Sequence, residues 1–309
     1  MPKKATILFD LAHNELLNIY DNDFTEFLAL LKSLNLKINQ NEGKNLASKE
    51  LHDSNILFIG NPVNNYFSNI EIKNVIRFVR NGGSIFLISE YGGDYLQKTN
   101  LNDISGKNFG IYFQKNIVRE FNKINQNCSS ILSIQNFNSH KTTKQLREII
   151  IGGSCSLMVN KSSKPLTWSK DSWTEIFNGS EKWLKEKEAK AHVITAYAEY
   201  GRGKALAIGD IDVFSNDPNI GINCLDNRKF IKNLLSWLLE PVKKSDIMLW
   251  CLNQLGVLQN EMKGINNKIN NIIETMTILE KRISSIEETE WKKSDFKEES
   301  LNKEKFPFI

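Results

Sequence analysis

Residues 55–89 read NILFIGNPVNNYFSNIEIKNVIRFVRNGGSIFLIS, and this stretch decides the fold class. Two short apolar runs, 56–59 and 85–88, enclose a segment whose apolar residues recur at helical spacing. Ser68 is a candidate N-cap for that helix, and Asn81-Gly82-Gly83 is a typical helix end. The helix's apolar residues are Ile72, Val75, Ile76 and Val79. The stretch therefore predicts a strand, a helix and a second strand in succession.

The same alternation continues on both sides of this stretch. Residues 5–9 form an apolar run before Asp10, and apolar residues between Phe24 and Leu34 recur at helical spacing. Residues 192–199 and 204–208 predict two strands joined by a tight turn, which is a hairpin pattern. Continuous apolar strands separated by amphipathic helices are typical of a mostly parallel sheet that is covered on both faces.

This alternation predicts an α/β domain over residues 1–241. Asp226 is a candidate N-cap for the last helix of the domain, which carries Phe230 and Leu234, and Pro241 ends the domain. Between about residues 100 and 185 the periodicity weakens. The sequence therefore predicts a poorly patterned insertion there and does not assign its elements.

Composition and charge narrow the classes of partner. The 309 residues carry 40 Lys and Arg against 36 Asp and Glu, for a formal net charge of +4. Because charges of both signs are interspersed, no nucleic-acid partner is expected. No window approaches the roughly 18 uncharged apolar residues of a membrane-spanning helix, so no direct membrane insertion is expected.

The cysteines indicate the redox compartment. They lie far apart, without a C-x-x-C pair and without a histidine at metal-ligand spacing. This pattern predicts reduced thiols in a cytoplasmic protein and no metal site. No cofactor is expected either, because the P-loop and dinucleotide-binding motifs are missing. The cysteines are Cys128, Cys155, Cys224 and Cys251. The N-terminal apolar run is interrupted by Asp10 and His13, so it predicts a strand rather than a signal peptide.

The most regular pattern lies in the C-terminal part, where apolar residues alternate three and four apart from 255 to 286. This spacing predicts a coiled-coil helix over residues 246–290, followed by a disordered tail over 291–309. We call the repeating positions the heptad seam: Leu255, Leu258, Met262, Ile265, Ile269, Ile272, Met276, Leu279, Ile283 and Ile286. The seam fits a second copy, a different protein partner, or packing back on the chain's own domain.

Polar side chains follow the predicted strands. Ligands bind at the carboxyl ends of the strands in an open parallel sheet, where these residues are expected to meet. The candidates for ligand binding are His13, Asn14, Asn61, Glu90, Tyr91, Asp210, Asp212 and Asn216. For any one of them, capping a helix or closing a turn is the favoured explanation, whereas for the set as a whole the sequence leaves a binding crevice and a structural role equally open.

These residues suggest two more specific chemistries, a cation site and a general base. Asp210 and Asp212 have the spacing of oxygen ligands, but the stretch lacks the glycine and glutamate of a calcium loop, and no metal site is predicted. His13 beside Glu90 or Asp210 would supply a general base, which gives the alternative of a hydrolase or sugar-processing enzyme. The P-loop, dinucleotide, H-E-x-x-H and G-x-S-x-G motifs are absent from the sequence.

Five segments carry a resemblance to a known family: ILFDLAHNE at 7–15, NILFIGNP at 55–62, FVRNGGSIFLIS at 78–89, YGRGKALAIGDIDVFSN at 200–216 and DNRKFIKNLLSWLL at 226–239. Together they resemble the class I glutamine-amidotransferase-like superfamily. More narrowly, they are similar to the branch shared by gliding-motility ABC-transporter auxiliary proteins and a subunit of the intraflagellar-transport B complex.

The resemblance implies a flavodoxin-like three-layer domain. True amidotransferases carry a nucleophilic Cys in the turn after the strand that corresponds to 85–88, and here that turn reads Ser89-Glu90-Tyr91-Gly92-Gly93. Glutaminase chemistry is therefore expected to be absent. The resemblance implies a non-catalytic ligand-binding or scaffolding protein that oligomerises or docks into a complex through its coiled coil, with a small-molecule ligand possible.

Overall fold

The computed structural model describes residues 4–43, 45–122, 127–179, 182–186 and 191–303. The helices are α1 Thr25–Ser33, α2 Ser48–His52, α3 Asn69–Arg80, α4 Gly93–Gln97, α5 Leu101–Phe109, α6 Asn227–Leu239 and α7 Lys244–Lys303. The strands are β1 Thr6–Asp10, β2 Lys37–Asn41, β3 Ile56–Gly60, β4 Ser84–Ile88, β5 Ile111–Phe113, β6 Asn116–Asn122, β7 Asn127–Ser129, β8 Ile131–Ile134, β9 Asn136–Phe137, β10 Ile149–Gly152, β11 Leu157–Val159, β12 Lys164–Lys170, β13 Ser172–Phe177, β14 Trp183–Lys185, β15 Ala191–Tyr200 and β16 Gly203–Ile208.

The main sheet runs β2-β1-β3-β4-β16, and neighbouring strands in this part are parallel. When these five strands are numbered in the order in which they occur along the chain, their order in the sheet is 2-1-3-4-5, which is the flavodoxin-like order. β15 pairs antiparallel with β16, and Thr195 lies opposite Ile208. The predicted mostly parallel sheet and the predicted hairpin are therefore confirmed.

Helices cover both faces of this sheet and make a three-layer domain. All residues of β1, β3 and β4 are buried, which is why their sequences are continuous apolar runs. Because alternate side chains point to opposite faces, Ile7 and Phe9 pack with α1 and α6, whereas Leu8 packs with α3 and α5. The flavodoxin-like architecture is confirmed by these two apolar layers.

The structure adds elements that the sequence pattern did not assign. β2 was not predicted because its sequence, KINQN, is polar and occupies the edge of the sheet. The region between 100 and 185 is folded in its described parts. It forms an antiparallel sheet of order β14-β13-β6-β7, a β8-β10 pair, and β12 beside β15. Short antiparallel strands joined by polar turns leave little periodicity to detect.

The two predicted helix caps differ in outcome. Ser68 begins α3 with a complete capping box, in which Ser68 and Glu71 each accept a hydrogen bond from the other's backbone N–H. Asp226 stands at the N-cap position of α6 but makes no capping hydrogen bond to that helix. Its carboxylate instead accepts hydrogen bonds from the backbone N–H groups of Arg147 and Glu148. The predicted capping role of Asp226 is wrong because its backbone, with φ −92° and ψ 8°, is not the extended backbone of an N-cap, and its Oδ2 instead accepts from the loop before β10.

The C-terminal helix is longer than predicted. α7 begins at Lys244 and continues to Lys303, so residues 291–303 are helical where a disordered tail was predicted. Glu and Lys dominate this part and favour a helix without any apolar seam. Residues 304–309 lie outside the described part of the chain. Within the described residues, no helix is long and apolar enough to cross a membrane.

The chain divides into two compact units, Met1–Trp250 and Cys251–Ile309. The first turns of α7 belong to the first unit because the ring of Trp250 packs edge-on against Tyr200, with centroids 5.2 Å apart. In the second unit every seam side chain is between 47% and 64% exposed. The compact unit that contains the α/β sheet thus ends at Trp250, and the domain boundary at residue 241 stays a prediction.

Candidate functional site at the carboxyl ends of the strands

His13 lies between two carboxylates just after β1. Its Nδ1 is 2.6 Å from Oδ2 of Asp10, and its Nε2 is 3.3 Å from Oε1 of Glu71. The ring also stacks on Phe67, with centroids 3.9 Å apart, and only 4% of the residue is exposed. These contacts fix the imidazole on both edges and on one face, so its position is set by the fold.

Glu71 reaches this cluster from the first turn of α3. One oxygen closes the capping box with Ser68, and the other accepts a 3.0 Å hydrogen bond from the backbone N–H of Leu46. Burial alone would raise the pKa of Glu71, but the hydrogen bonds from Ser68 and Leu46 outweigh it and lower that pKa. Glu71 is therefore held as an anion beside the imidazole.

Glu15 adds a third carboxyl group to the cluster. Its Oε2 accepts a 3.0 Å hydrogen bond from the backbone N–H of His13. Its Oε1 lies 3.8 Å from Nδ1 of His13 and accepts no hydrogen bond from any residue that the structure describes. Burial, followed by the neighbouring carboxylate of Asp10, raises the pKa of Glu15 to about 9. Asn41, at the end of β2, donates a 2.8 Å hydrogen bond to Oδ1 of Asp10.

Asn61 and Ser89 place further polar atoms at the ends of β3 and β4. The backbone N–H of Asn61 donates to the carbonyl of Ile88, which ties the two strand ends together. Both side chains are fully buried. Among the described residues, neither the amide of Asn61 nor the hydroxyl of Ser89 finds a partner. Such unpartnered groups are uncommon in folded proteins and mark this layer as unusually polar.

A second carboxylate cluster follows β4 and β16 and consists of Glu90, Asp210 and Asp212. One carboxylate oxygen of each residue lies within 4.8 Å of the others. Oε1 of Glu90 accepts a 2.7 Å hydrogen bond from the backbone N–H of Ile211. Both oxygens of Asp210 accept backbone hydrogen bonds, among them those from Asp212 and Gly152. These carboxyls anchor the turn after β16.

Burial controls the protonation of this second cluster. It raises the pKa of Glu90 well above its ordinary value, and the carboxylate of Asp210 raises it further. Burial and then the charge of Asp212 raise the pKa of Asp210 to about 8. Glu90 is 7% exposed and Asp210 is fully buried. Both side chains therefore bind a proton more tightly than an exposed carboxyl group does.

The side chains of the remaining predicted site residues contact other parts of the domain. Asn14 is exposed, and its amide donates only a 3.4 Å bond to the carbonyl of Val63. Tyr91 is 41% exposed and packs edge-on against Trp183. The side chain of Asn216 binds the backbone at the start of α1, where it accepts a hydrogen bond from the N–H of Glu26 and donates one to the carbonyl of Asn22. Of the predicted set, His13, Asn61, Glu90, Asp210 and Asp212 line the strand ends.

Sequence reasoning missed Glu71, Glu15 and Asn41. The S-x-x-E spacing of Ser68 and Glu71 is a capping-box motif and was available as a signal for Glu71. Glu15 stands two residues after His13 and could have been grouped with it. No signal identified Asn41, because the strand that positions it was not predicted.

The turn after β4 offers no thiol nucleophile. It carries Ser89, Glu90 and Tyr91, and Gly92 and Gly93 adopt positive φ values of 81° and 47°. Cys155 lies behind this turn and is fully buried, and burial raises its thiol pKa well above the ordinary value. It is therefore a structural thiol rather than an activated one.

The strand order, the three layers and this turn define a class I glutamine-amidotransferase-like domain that lacks the cysteine nucleophile. Within that class, the sequence matches one particular family. The family model described as the IFT52 GIFT domain matches residues 6–249, and the chain belongs to this family. No curated protein sequence matches the chain.

Solved structures share the fold at low sequence identity. The N-terminal domain of mmIFT52 aligns with a TM-score of 0.62 and 17% identity over 76% of this chain and 97% of that chain. A cytoplasmic protein from Salmonella typhimurium LT2 aligns with a TM-score of 0.52 and 12% identity, covering 76% of this chain and all of that one. At these identities the likeness shows the fold alone.

Proposed function

We propose that this protein is a non-catalytic scaffold, whose α/β domain is carried by an intermolecular coiled coil formed by α7. The observation that carries the proposal is the continuous heptad seam, whose ten apolar side chains are each about half exposed. Continuous apolar stripes of this length that are exposed to solvent mark interaction sites. Family membership supports the same view, because the sequence resembles a subunit of the intraflagellar-transport B complex.

The interior of the α/β domain argues for the scaffold and against the hydrolase. The groups that would act as acid and base, His13, Glu90 and Asp210, are buried and make hydrogen bonds or ion pairs within the domain. A catalytic acid or base needs to reach the substrate proton directly or through one water molecule. The domain is therefore proposed as a folded platform. The three free cysteines that the structure describes, Cys155, Cys224 and Cys251, support a cytoplasmic location.

The charges that flank the seam favour a second copy of α7 as its partner. In a parallel, in-register coiled coil, each g residue faces the e residue five positions later on the other helix. With Leu255 at position a, this rule pairs Arg282 with Glu287 of the other copy. It creates no pair of like charges between 254 and 287, because the other flanking pairs contain at least one uncharged residue. One attractive pair and no repulsive pair therefore favour a parallel, in-register homo-oligomer.

Cys251 provides a direct test of this arrangement. It lies four residues before Leu255, at a d position, and its thiol is free and exposed. In a parallel, in-register assembly two copies of Cys251 face each other across the axis. The full chain treated with diamide, which oxidises two thiols to a disulfide, is expected to form a covalent dimer on non-reducing gels, and the Cys251→Ser variant is not.

The matched control is Cys224→Ser, which removes another non-buried cysteine and is expected to leave the cross-link unchanged. A cross-link that persists in Cys251→Ser contradicts the parallel arrangement. Complete absence of the cross-link in the wild type also contradicts it, and a different protein or an antiparallel copy then becomes the partner of the seam.

A further inference from the structure

The cluster after β1 contains a contact that cannot be satisfied by the ionised side chains alone. Oε1 of Glu15 is buried, with no part of the Glu15 side chain exposed, and it points toward Nδ1 of His13 and the carboxylate of Asp10. Carboxylate oxygens are acceptors only, so Glu15 and Asp10 cannot bond to each other when both are ionised. Either a proton or a cation must lie between them.

We propose that Asp10, His13 and Glu15 form a binding site for a divalent first-row transition metal ion. The three donor atoms are Oδ2 of Asp10, Nδ1 of His13 and Oε1 of Glu15. All three lie within 4.8 Å of one another. A metal ion bound at about 2.1 Å holds neighbouring donors about 3.0–3.4 Å apart. The 3.8 Å and 2.6 Å separations from Nδ1 to Glu15 and Asp10 bracket that range, so small side-chain rotations close the site.

Each proposed ligand is oriented by a second group on its other polar atom. Nε2 of His13 faces Glu71 at 3.3 Å, and Nδ1 becomes a metal ligand when the ion replaces the proton in its 2.6 Å hydrogen bond with Asp10. Oδ1 of Asp10 accepts from Asn41, and Oε2 of Glu15 accepts from the backbone of His13. A carboxylate behind a ligating histidine and hydrogen bonds behind ligating carboxylates are the usual supports of metal centres.

The donor set selects the kind of ion. One imidazole and two carboxylates suit Zn²⁺, Co²⁺ or Mn²⁺, whereas Mg²⁺ and Ca²⁺ prefer oxygen donors alone. Two ionised carboxylates with a neutral imidazole also balance the charge of a divalent ion. Burial makes this balance important, because an uncompensated charge in the interior is costly.

The test is a titration of the chelator-treated full chain with Co²⁺, followed by visible absorption and calorimetry. The wild type is expected to bind one ion per chain and to develop the d–d absorption of Co²⁺ with nitrogen and oxygen ligands. Glu15→Gln is expected to weaken binding by at least about 100-fold, because it removes a ligand rather than a supporting group. Mg²⁺ at the same concentration is expected to produce no binding heat.

His52→Gln is the matched control. His52 also lies beside an aspartate, Asp53 at 3.7 Å, but its side chain is 87% exposed, and it belongs to no group of three possible ligands among the described residues. This variant is expected to bind Co²⁺ like the wild type. A loss of binding in His52→Gln would place the ion on the surface and overturn the proposal. Binding in Glu15→Gln that equals the wild type, or no binding in the wild type, would assign a shared proton to the cluster instead.

X-ray absorption on the Zn²⁺-loaded wild type supplies a result that does not depend on any variant folding. The site predicts nitrogen and oxygen scatterers in the first shell. A sulfur scatterer would assign the ion to a cysteine and overturn the proposal, since the three proposed ligands contain no sulfur.

Discussion

Oε1 of Glu71 lies 3.3 Å from Nε2 of His13, while Oε2 of the same carboxylate receives the hydrogen bonds of Ser68 at the start of α3. One side chain thus joins the N-terminus of a helix to the cluster at the end of β1. The position of the His13 ring depends on where α3 begins, and the helix start depends on the same carboxylate. The capping box and the strand-end cluster are parts of one buried network.

Glu71→Gln is predicted to destabilise the domain by about 2–4 kcal/mol. The amide has one acceptor oxygen where the carboxylate uses two, for the N–H groups of Ser68 and Leu46, and it removes the negative charge beside His13. Urea denaturation measures the loss. Ser68→Ala is the matched control, because it removes only the capping oxygen and is predicted to cost about 1 kcal/mol. A Ser68→Ala cost equal to that of Glu71→Gln would show that the contact with His13 contributes nothing.

Glu90→Gln is predicted to stabilise the protein at neutral and higher pH. The folded state holds a proton on Glu90 because burial raises its pKa, whereas the unfolded chain releases that proton near the ordinary pKa of 4.5. Unfolding therefore releases a proton above that pH, and the free energy of unfolding falls as pH rises. Glutamine keeps an oxygen for the N–H of Ile211 and removes the titration. A gain of at least about 1 kcal/mol is expected at pH 8, with a smaller gain at pH 5.

The measurement is urea denaturation at both pH values, with Glu42→Gln as an exposed control in the same domain. The control is expected to follow the wild type at both pH values. If Glu90→Gln also follows the wild type, the buried carboxyl does not contribute to the pH dependence of stability.

Ser84 and Ser89, at the two ends of β4, are predicted to respond differently to replacement by alanine. The hydroxyl of Ser84 donates a 2.7 Å hydrogen bond to the carbonyl of Leu238, and Ser84→Ala is predicted to cost about 1 kcal/mol or more. The hydroxyl of Ser89 is buried without a partner among the described residues. Ser89→Ala is therefore predicted to leave stability unchanged or to raise it. A loss at Ser89 as large as that at Ser84 would reveal a bound group at the strand ends.

The sequence predicts best those strands that are buried on both faces, because their residues form continuous apolar runs. β3 and β4 are continuous apolar runs, and they were placed to within one residue. β2 could not be predicted, because its polar residues are those of an edge strand. The site was found only in part for the same reason. His13 and Asp210 follow strands directly, whereas Glu71 reaches His13 from a distant helix and Asn41 depends on β2. Such contacts come from tertiary packing, which local spacing does not encode.

The seam of α7 carries the central claim, and light scattering on the full chain tests it most directly. Ile272 lies in the seam and Ile278 lies off it, and both are about half exposed on the same helix. Replacing either by aspartate makes the same chemical change in the same helix. The wild type and Ile278→Asp are predicted to have a molar mass that is a multiple of 35.5 kDa, and Ile272→Asp is predicted to be a monomer. A monomeric wild type, or an Ile272→Asp chain that keeps the oligomeric mass, would contradict the account.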